Sequence, residues 1–352
     1  MNRKMTGILF AFAMGCMSTH ATPVQAANSA SLTAIPKYAA ILIDPQSGEV
    51  LYAHQADAAR HPASITKVMT LFILFEEIRA GRVKMSDRIS FSYTARSQAP
   101  SRLGVGPNQT LSVDEAIQAL VTKSANDVAY AVAEHISGTE AKFAERMNKR
   151  AAELGMKSSH FANASGLPNS AHRSSARDIA TLSRAMLSQF PNFYTYFRQR
   201  QFTWGGRVMP NHNKLLGNAL GVDGIKTGYT ALSGFTLAAA ASHNGKRLIA
   251  VVLGAPTSIA RNNNVEALLR AGYAMLEERQ AGRKGESVSA RLDATDDIIG
   301  DKINAISALR QVSAKQVDEQ SMMKPAVLKP TVKFKVGSGQ RAGSSSGGNT
   351  LK

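Results

Sequence analysis

Pro62-Ala63-Ser64-Ile65-Thr66-Lys67-Val68-Met69-Thr70-Leu71-Phe72-Ile73-Leu74-Phe75-Glu76-Glu77-Ile78-Arg79-Ala80-Gly81 is the stretch on which the fold turns. A proline opens it and a glycine closes it, and its apolar residues occupy every helical face rather than one stripe. This predicts a helix from Ile65 to Ala80 that is buried all round, so other elements must pack on every side of it. Upstream, Ala39-Ala40-Ile41-Leu42-Ile43 and Glu49-Val50-Leu51-Tyr52 flank the turn-forming Asp44-Pro45-Gln46-Ser47-Gly48. That pattern is a strand, a turn and a second strand.

Downstream, Ser112 and Glu115 have capping-box spacing before a helix from Val113 to Thr122. Apolar periodicity predicts further helices at 126–136, 140–154, 175–187 and about 264–279. Strands return at Gly234–Ala241 and Arg247–Leu253, joined through Asn244-Gly245, a strong hairpin signal. Strands at both ends of a helical stretch make the fold class α+β, an antiparallel sheet assembled from distant segments and flanked by helices. A helical subdomain beside the sheet leaves a cleft between two lobes.

Beyond Gly282 the texture changes to scattered charges, Lys-Pro pairs and a Gly/Ser run that cannot bury a core. Residues 282–352 therefore read as a basic, mostly disordered tail. Within it, Ile299, Ile303, Ile306 and Leu309 share one helical face suited to docking on the domain.

The formal charge of +17 points to anionic surroundings, and the N-terminus decides which. Residues 1–26 combine basic Arg3 and Lys4, an apolar stretch from Ile8 to Met17 and small residues at Val24-Gln25-Ala26. They read as a signal peptide cleaved near Ala26, which makes the protein exported, periplasmic or in the cell envelope, away from nucleic acid. The apolar stretch is shorter than a spanning helix requires. Ala13-Met14-Gly15-Cys16 also fits a lipoprotein signal, although a larger aliphatic residue is usual at its first position. Cys16 is the single cysteine, so the mature chain has no thiol for a disulfide, metal site or nucleophile.

Ser64 and Lys67 form Ser-x-x-Lys at the start of the buried helix, three residues apart and therefore on one face. A serine hydroxyl needs a neighbouring base that is neutral when reaction begins. A lysine can serve where burial or another cation lowers its pKa. Alone, the pair could equally be a helix cap and a surface lysine. Ser124-Ala125-Asn126, at the junction of two helices, and Lys226-Thr227-Gly228, just before the terminal hairpin, supply the context. The three motifs stand in the order required of a serine acyl-transfer site.

With those motifs, residues 35–280 resemble the serine-type D-Ala-D-Ala carboxypeptidases. These are the low-molecular-mass penicillin-binding proteins, related to serine β-lactamases. The likeness runs through Ala63–Thr70, Ser174-Ser175-Ala176-Arg177-Asp178, Asn211-His212-Asn213-Lys214-Leu215-Leu216 and Val222-Asp223-Gly224-Ile225-Lys226-Thr227-Gly228-Tyr229-Thr230. The resemblance implies a β-lactamase/transpeptidase-like fold, with residues 27–281 as the penicillin-binding D,D-peptidase domain. It implies that Ser64 attacks the penultimate D-Ala carbonyl, Lys67 takes the proton and Ser124 relays it toward the leaving amine. Asn126 would hold the substrate backbone, Lys226 and Thr227 the terminal carboxylate, and the N–H groups of Ser64 and Tyr229 the oxyanion. Gly228 would let the strand approach a substrate that adds to its edge.

His212 stands where several members carry arginine. A histidine there would grip a carboxylate only when charged, so affinity should weaken as pH rises through neutrality.

The substrates implied are peptidoglycan stem peptides, with β-lactam antibiotics as acylating inhibitors and no metal or cofactor. A class A β-lactamase would add a deacylating glutamate, and Glu134, Glu140, Glu145 and Glu153 all lack the Glu-x-x-x-Asn setting. A D,D-endopeptidase would use the same residues on a cross-link. A non-catalytic wall-binding protein would not need the intact three-part site. The Gly-x-Ser-x-Gly around Ser345 lies in the low-complexity tail without the strand and helix of a nucleophile elbow. That tail, with Lys324, Lys329, Lys333, Lys335, Arg341 and Lys352, could make loose electrostatic contact with anionic membrane or wall.

Overall fold

The structure, a computed structural model, describes residues 37–293. Its spine is a five-stranded antiparallel sheet in the order β2-β1-β9-β8-β7. The strands are β1 (Ala39–Ile43), β2 (Val50–His54), β7 (Val222–Thr230), β8 (Gly234–His243) and β9 (Lys246–Ala255). The first strand pairs with the last, Ala39 opposite Leu253, so the sheet does close over the helical middle of the chain. Between them run β3 (Arg88–Ser90) and β4 (Thr110–Ser112), an antiparallel pair with a helix in its connection, and β5 (Gln201–Trp204) and β6 (Arg207–Pro210), a short hairpin.

Alternation along the strands gives the sheet two apolar faces. Ala39, Ile41, Ile43, Ala238, Ala240, Ile249 and Val251 face the helical side. Ala40, Leu42, Leu237, Ala239, Leu248, Ala250 and Val252 face the other side, where Val265, Leu268 and Leu269 of α7 (Ser258–Gln280) cover them. The helical side holds α1 (Lys67–Arg79), α2 (Tyr93–Arg96), α3 (Val113–Val121), α4 (Asn126–Ser137), α5 (Glu140–Glu153) and α6 (Ala176–Gln189). Every residue from Lys67 to Phe75 is buried, as a helix apolar on all faces requires. The capping box at α3 is present, with Ser112 and Glu115 each satisfying the other's backbone N–H.

Beyond shifts of one or two residues at element ends, three differences from the sequence reading stand out. Ser64 lies in a 3₁₀ turn, Ala63–Thr66, that precedes α1. The helix α7 starts six residues earlier than the expected 264, because Thr257 caps it by accepting from the Ala260 N–H. Folded structure also passes Gly282, where the tail was expected to begin. In α8 (Val288–Asp293), Val288 and Leu292 join the core under α7. The signal segment, Cys16, the Ile299–Leu309 face and Ser345 lie outside the described residues. Among those that are described, no helix is long and apolar enough to cross a membrane.

Candidate active site

The 3₁₀ turn ends where α1 begins, and this places Lys67 Nζ 3.0 Å from Ser64 Oγ. Two further oxygens bracket the amine, Asn126 Oδ1 at 2.7 Å and the Ser165 carbonyl at 2.7 Å. Lys67 is fully buried. Burial first, and the like charge of Lys226 second, hold its pKa well below the ordinary lysine value, against the opposing pull of Asp127. A neutral amine has two N–H bonds and one lone pair. Asn126 and Ser165 accept the two N–H bonds, which leaves the lone pair facing the Ser64 hydroxyl.

The carbonyl of Ser165 is held in place from below. Asn163 Oδ1 accepts the N–H groups of Ser165 and Gly166 and fixes the loop. Gly166 sits at φ +82°, and a Cβ there would stand 1.9 Å from the Ala63 carbonyl, so only glycine lets the loop meet the turn. Behind Thr66 lies buried His172. Its Nδ1 accepts from the Ala162 N–H, so its proton sits on Nε2 and donates to Thr66 Oγ1 at 2.8 Å. Burial, then His61, His160 and Lys67, lower its pKa to about 4, so it stays neutral and keeps that pattern. Glu140 accepts the Ala164 N–H behind the same loop, a structural post.

Ser124 connects α3 to α4 at φ +59°. Its Oγ is buried without a hydrogen-bond partner among the described residues, a cost of roughly 1–3 kcal/mol that a substrate group could relieve. Asn126 also donates Nδ2 to the Ala99 carbonyl, which pins the 97–104 loop over the site. Asp127 reinforces this by accepting the N–H groups of Leu103 and Gly104.

The opposite wall is β7, the edge strand of the sheet. A Cβ on Gly228 would fall 2.6 Å from Thr236 Oγ1 and 2.9 Å from the Ser64 nitrogen. The strand therefore passes the catalytic turn at a distance no other residue permits. Thr227 and Tyr229 line the cleft on either side of it. Lys226 is buried behind them and absent from the lining, its Nζ donating to the Thr227 carbonyl at 3.0 Å. Burial and the charge of Arg261 lower its pKa to about 7. Arg261, in the first turn of α7, was missed by the sequence reading because the helix was started too late. It lines the cleft of about 1110 Å³, is nearly buried, and has a pKa lowered to about 10 by burial, so it stays charged near neutrality.

His212 also lines the cleft, on a loop fixed by Asn211 and Asn213, which accept the N–H groups of Asn213 and Leu215. Its pKa is lowered to about 4, first by desolvation against the cleft wall and then by Lys226, Lys123, Lys214 and Lys67. The expectation that His212 changes charge near neutrality is corrected accordingly. The residue is exposed, so solvent screens the shift, but its direction is away from neutral pH.

A serine paired with a desolvated lysine, an unpartnered hydroxyl and a strand edge with cations behind it is an acyl-transfer arrangement. The family model of D-alanyl-D-alanine carboxypeptidase matches residues 24–257. This chain belongs to that family. It is a serine peptidase by class, and its lobes have the penicillin-binding-protein arrangement of a sheet flanked by helices. The D-alanyl-D-alanine carboxypeptidase DacF of Bacillus subtilis is 33% identical over 294 residues, 82% of this chain and 75% of that protein. DacA of Escherichia coli is 35% identical over 244 residues, 67% of this chain and 60% of that one, so the chain spans less than two thirds of its length. Among solved structures, penicillin-binding protein D2 of Listeria monocytogenes in its cefotaxime-bound form superposes with a TM-score of 0.61. It is 31% identical and covers 67% of this chain and 96% of that one.

Proposed function

We propose that this chain is an exported D-Ala-D-Ala carboxypeptidase that trims peptidoglycan stem peptides through an acyl-enzyme on Ser64. The observation that carries the reading is the buried Lys67 amine 3.0 Å from Ser64 Oγ, with Asn126 Oδ1 and the Ser165 carbonyl as its other two partners and burial holding its pKa well below the ordinary lysine value. Lys67 takes the hydroxyl proton as the oxygen attacks the penultimate D-Ala carbonyl. The oxyanion forms beside the Ser64 and Tyr229 amides. Ser124 passes the proton to the leaving amine, and terminal D-Ala departs. Water then attacks the ester and restores Ser64.

Thr227 and Arg261 take the terminal carboxylate, with the Lys226 charge acting from behind. Arg261 thus supplies the guanidinium that position 212 lacks. β-Lactams acylate the same oxygen and persist, since Glu140 is turned away toward Ala164. The signal reading of residues 1–26 supports export, and the basic tail supports loose attachment to an anionic envelope surface.

The test is a fluorescent penicillin together with a pentapeptide and a cross-linked muropeptide, the products read by mass spectrometry. The wild type takes the label and removes one D-Ala from the pentapeptide, and Ser64→Ala does neither. Cleavage of the cross-link in preference to the pentapeptide would favour the endopeptidase reading, and labelling that survives in Ser64→Ala would sink both.

A further inference from the structure

The chain carries 25 acidic residues, yet none of those among the described residues lines the cleft. Its lysines and arginines do: Arg102, Lys123, Arg207, Lys214 and Arg261. The proposed reaction needs one cationic site, for the terminal carboxylate, and Arg261 with Thr227 meets it on the β7–α7 wall. Arg102 and Arg207 stand on the other wall. Arg207 Nη2 donates to the Leu103 carbonyl at 3.0 Å, and Arg102 Nη1 to the Arg96 carbonyl at 3.2 Å. Both hydrogen bonds are to backbone, Arg207 also lies over the Trp204 ring at 6.0 Å from its centroid, and neither guanidinium pairs with a carboxylate among the described residues. Arg207 reaches the carbonyl of the residue next to Arg102, and each guanidinium keeps further N–H donors that an entering anion can take.

The loop that bears Arg102 is fastened to Asn126, whose N–H donates to the Ser101 carbonyl at 2.7 Å. A peptide lying between Asn126 and the edge of β7 therefore passes under this wall. Its penultimate D-Ala has only a methyl group. The first side chain long enough to reach Arg102 and Arg207 belongs to the residue before D-Ala-D-Ala.

Resting on the carboxypeptidase reading above, we propose that Arg102 and Arg207 select acyl donors whose residue before D-Ala-D-Ala ends in a carboxylate, such as a diamino diacid. A carboxylate takes one or both forks bidentately, a neutral side chain forfeits those bonds, and an ammonium meets repulsion. Arg102 and Arg207 are specificity-determining residues rather than catalytic ones, since they stand away from the reacting atoms.

The test compares kcat/KM for three N-acetylated peptides X-D-Ala-D-Ala, in which X ends in a carboxylate, an amide or an ammonium. The expected order is carboxylate, amide, ammonium, with roughly tenfold between the first two, a typical worth of a charge-assisted bidentate contact. The ratio should fall toward one in Arg102→Gln/Arg207→Gln. It should also fall in 1 M salt, where the Debye length is about 3 Å. Equal rates for the three peptides in the wild type, or a preference unchanged in the double variant, would overturn the selection. Failure to release D-Ala from any of the three would instead remove the carboxypeptidase reading beneath it. Fluorescent-penicillin labelling of wild type and variant confirms that each is folded at Ser64.

Discussion

Two buried lysines stand behind opposite walls of the same cleft, neither of them in its lining, and their surroundings separate them. Lys67, on the helical wall, has three oxygens within 3.0 Å and a pKa held well below the ordinary lysine value. Lys226, on the sheet wall, has one carbonyl partner and a pKa lowered to about 7. Burial is the first cause of both shifts. What differs is the geometry: the Lys67 lone pair is aimed at a hydroxyl, whereas Lys226 has no reacting group in front of it and acts through its field. One residue type thus serves as a base on one wall and as a charge on the other.

Replacement by arginine at each site tests that division, because arginine keeps the charge and cannot accept a proton near neutrality. At position 67 the loss should be large. Lys67→Arg is expected to lower the rate of penicillin acylation by roughly 10²- to 10⁴-fold, the usual span for removing a general base. Raising the pH should not restore it. Stopped-time labelling, with a thermal melt to confirm folding, gives the number. A Lys67→Arg enzyme within tenfold of the wild type would dissolve the distinction between the two walls.

The distance between the walls is the next target, and Gly228 sets it. In Gly228→Ala the new methyl meets Thr236 Oγ1 and the Ser64 amide, so β7 must retreat from the turn. A displacement near 1 Å at a catalytic centre costs about 10²-fold in rate. The loss should appear in acylation while the melting temperature falls little, since β7 is an edge strand and can move outward. Unchanged acylation would show that the turn, rather than the strand, sets the gap.

The helical wall was legible in the sequence and the sheet wall only in part, for a physical reason. A helix start announces itself locally: Pro62 before the turn, Ser112 with Glu115 at α3, and Ser64 with Lys67 three residues apart are all short-range signals. The sheet wall is built from distant pieces. Thr257 caps α7, but the polar run Asn262-Asn263-Asn264 hides the first turn, and Arg261 went unnoticed with it. The β5–β6 hairpin around Gly205-Gly206 was also passed over, although that turn, flanked by Phe202 and Trp204 before it and Val208 and Met209 after it, carries a hairpin signal. The contact between His172 and Thr66 joins residues 106 apart, and no periodicity reports such a pair.

The smallest expected effect is a pH dependence, and it separates Lys226 from His212. Affinity for a terminal carboxylate should still weaken as pH rises through neutrality, but the titrating group is the lysine. Lys226 is protonated below about pH 7 and loses its charge above it. His212, at about 4, is neutral throughout that window. For Lys226 the stability sign runs with pH: between about 7 and the ordinary lysine value of 10.5, the unfolded chain binds a proton that the native protein does not, so stability rises across that interval. KM for a D-Ala-D-Ala peptide should therefore climb by less than about tenfold per pH unit above 7, the limit for losing one proton. In Lys226→Arg the rise in KM should flatten, because the charge persists. In His212→Arg it should keep its position, even if the added fork lowers KM at every pH. If His212→Arg removes the rise and Lys226→Arg leaves it intact, the charge that the substrate senses lies on the loop and not behind the strand.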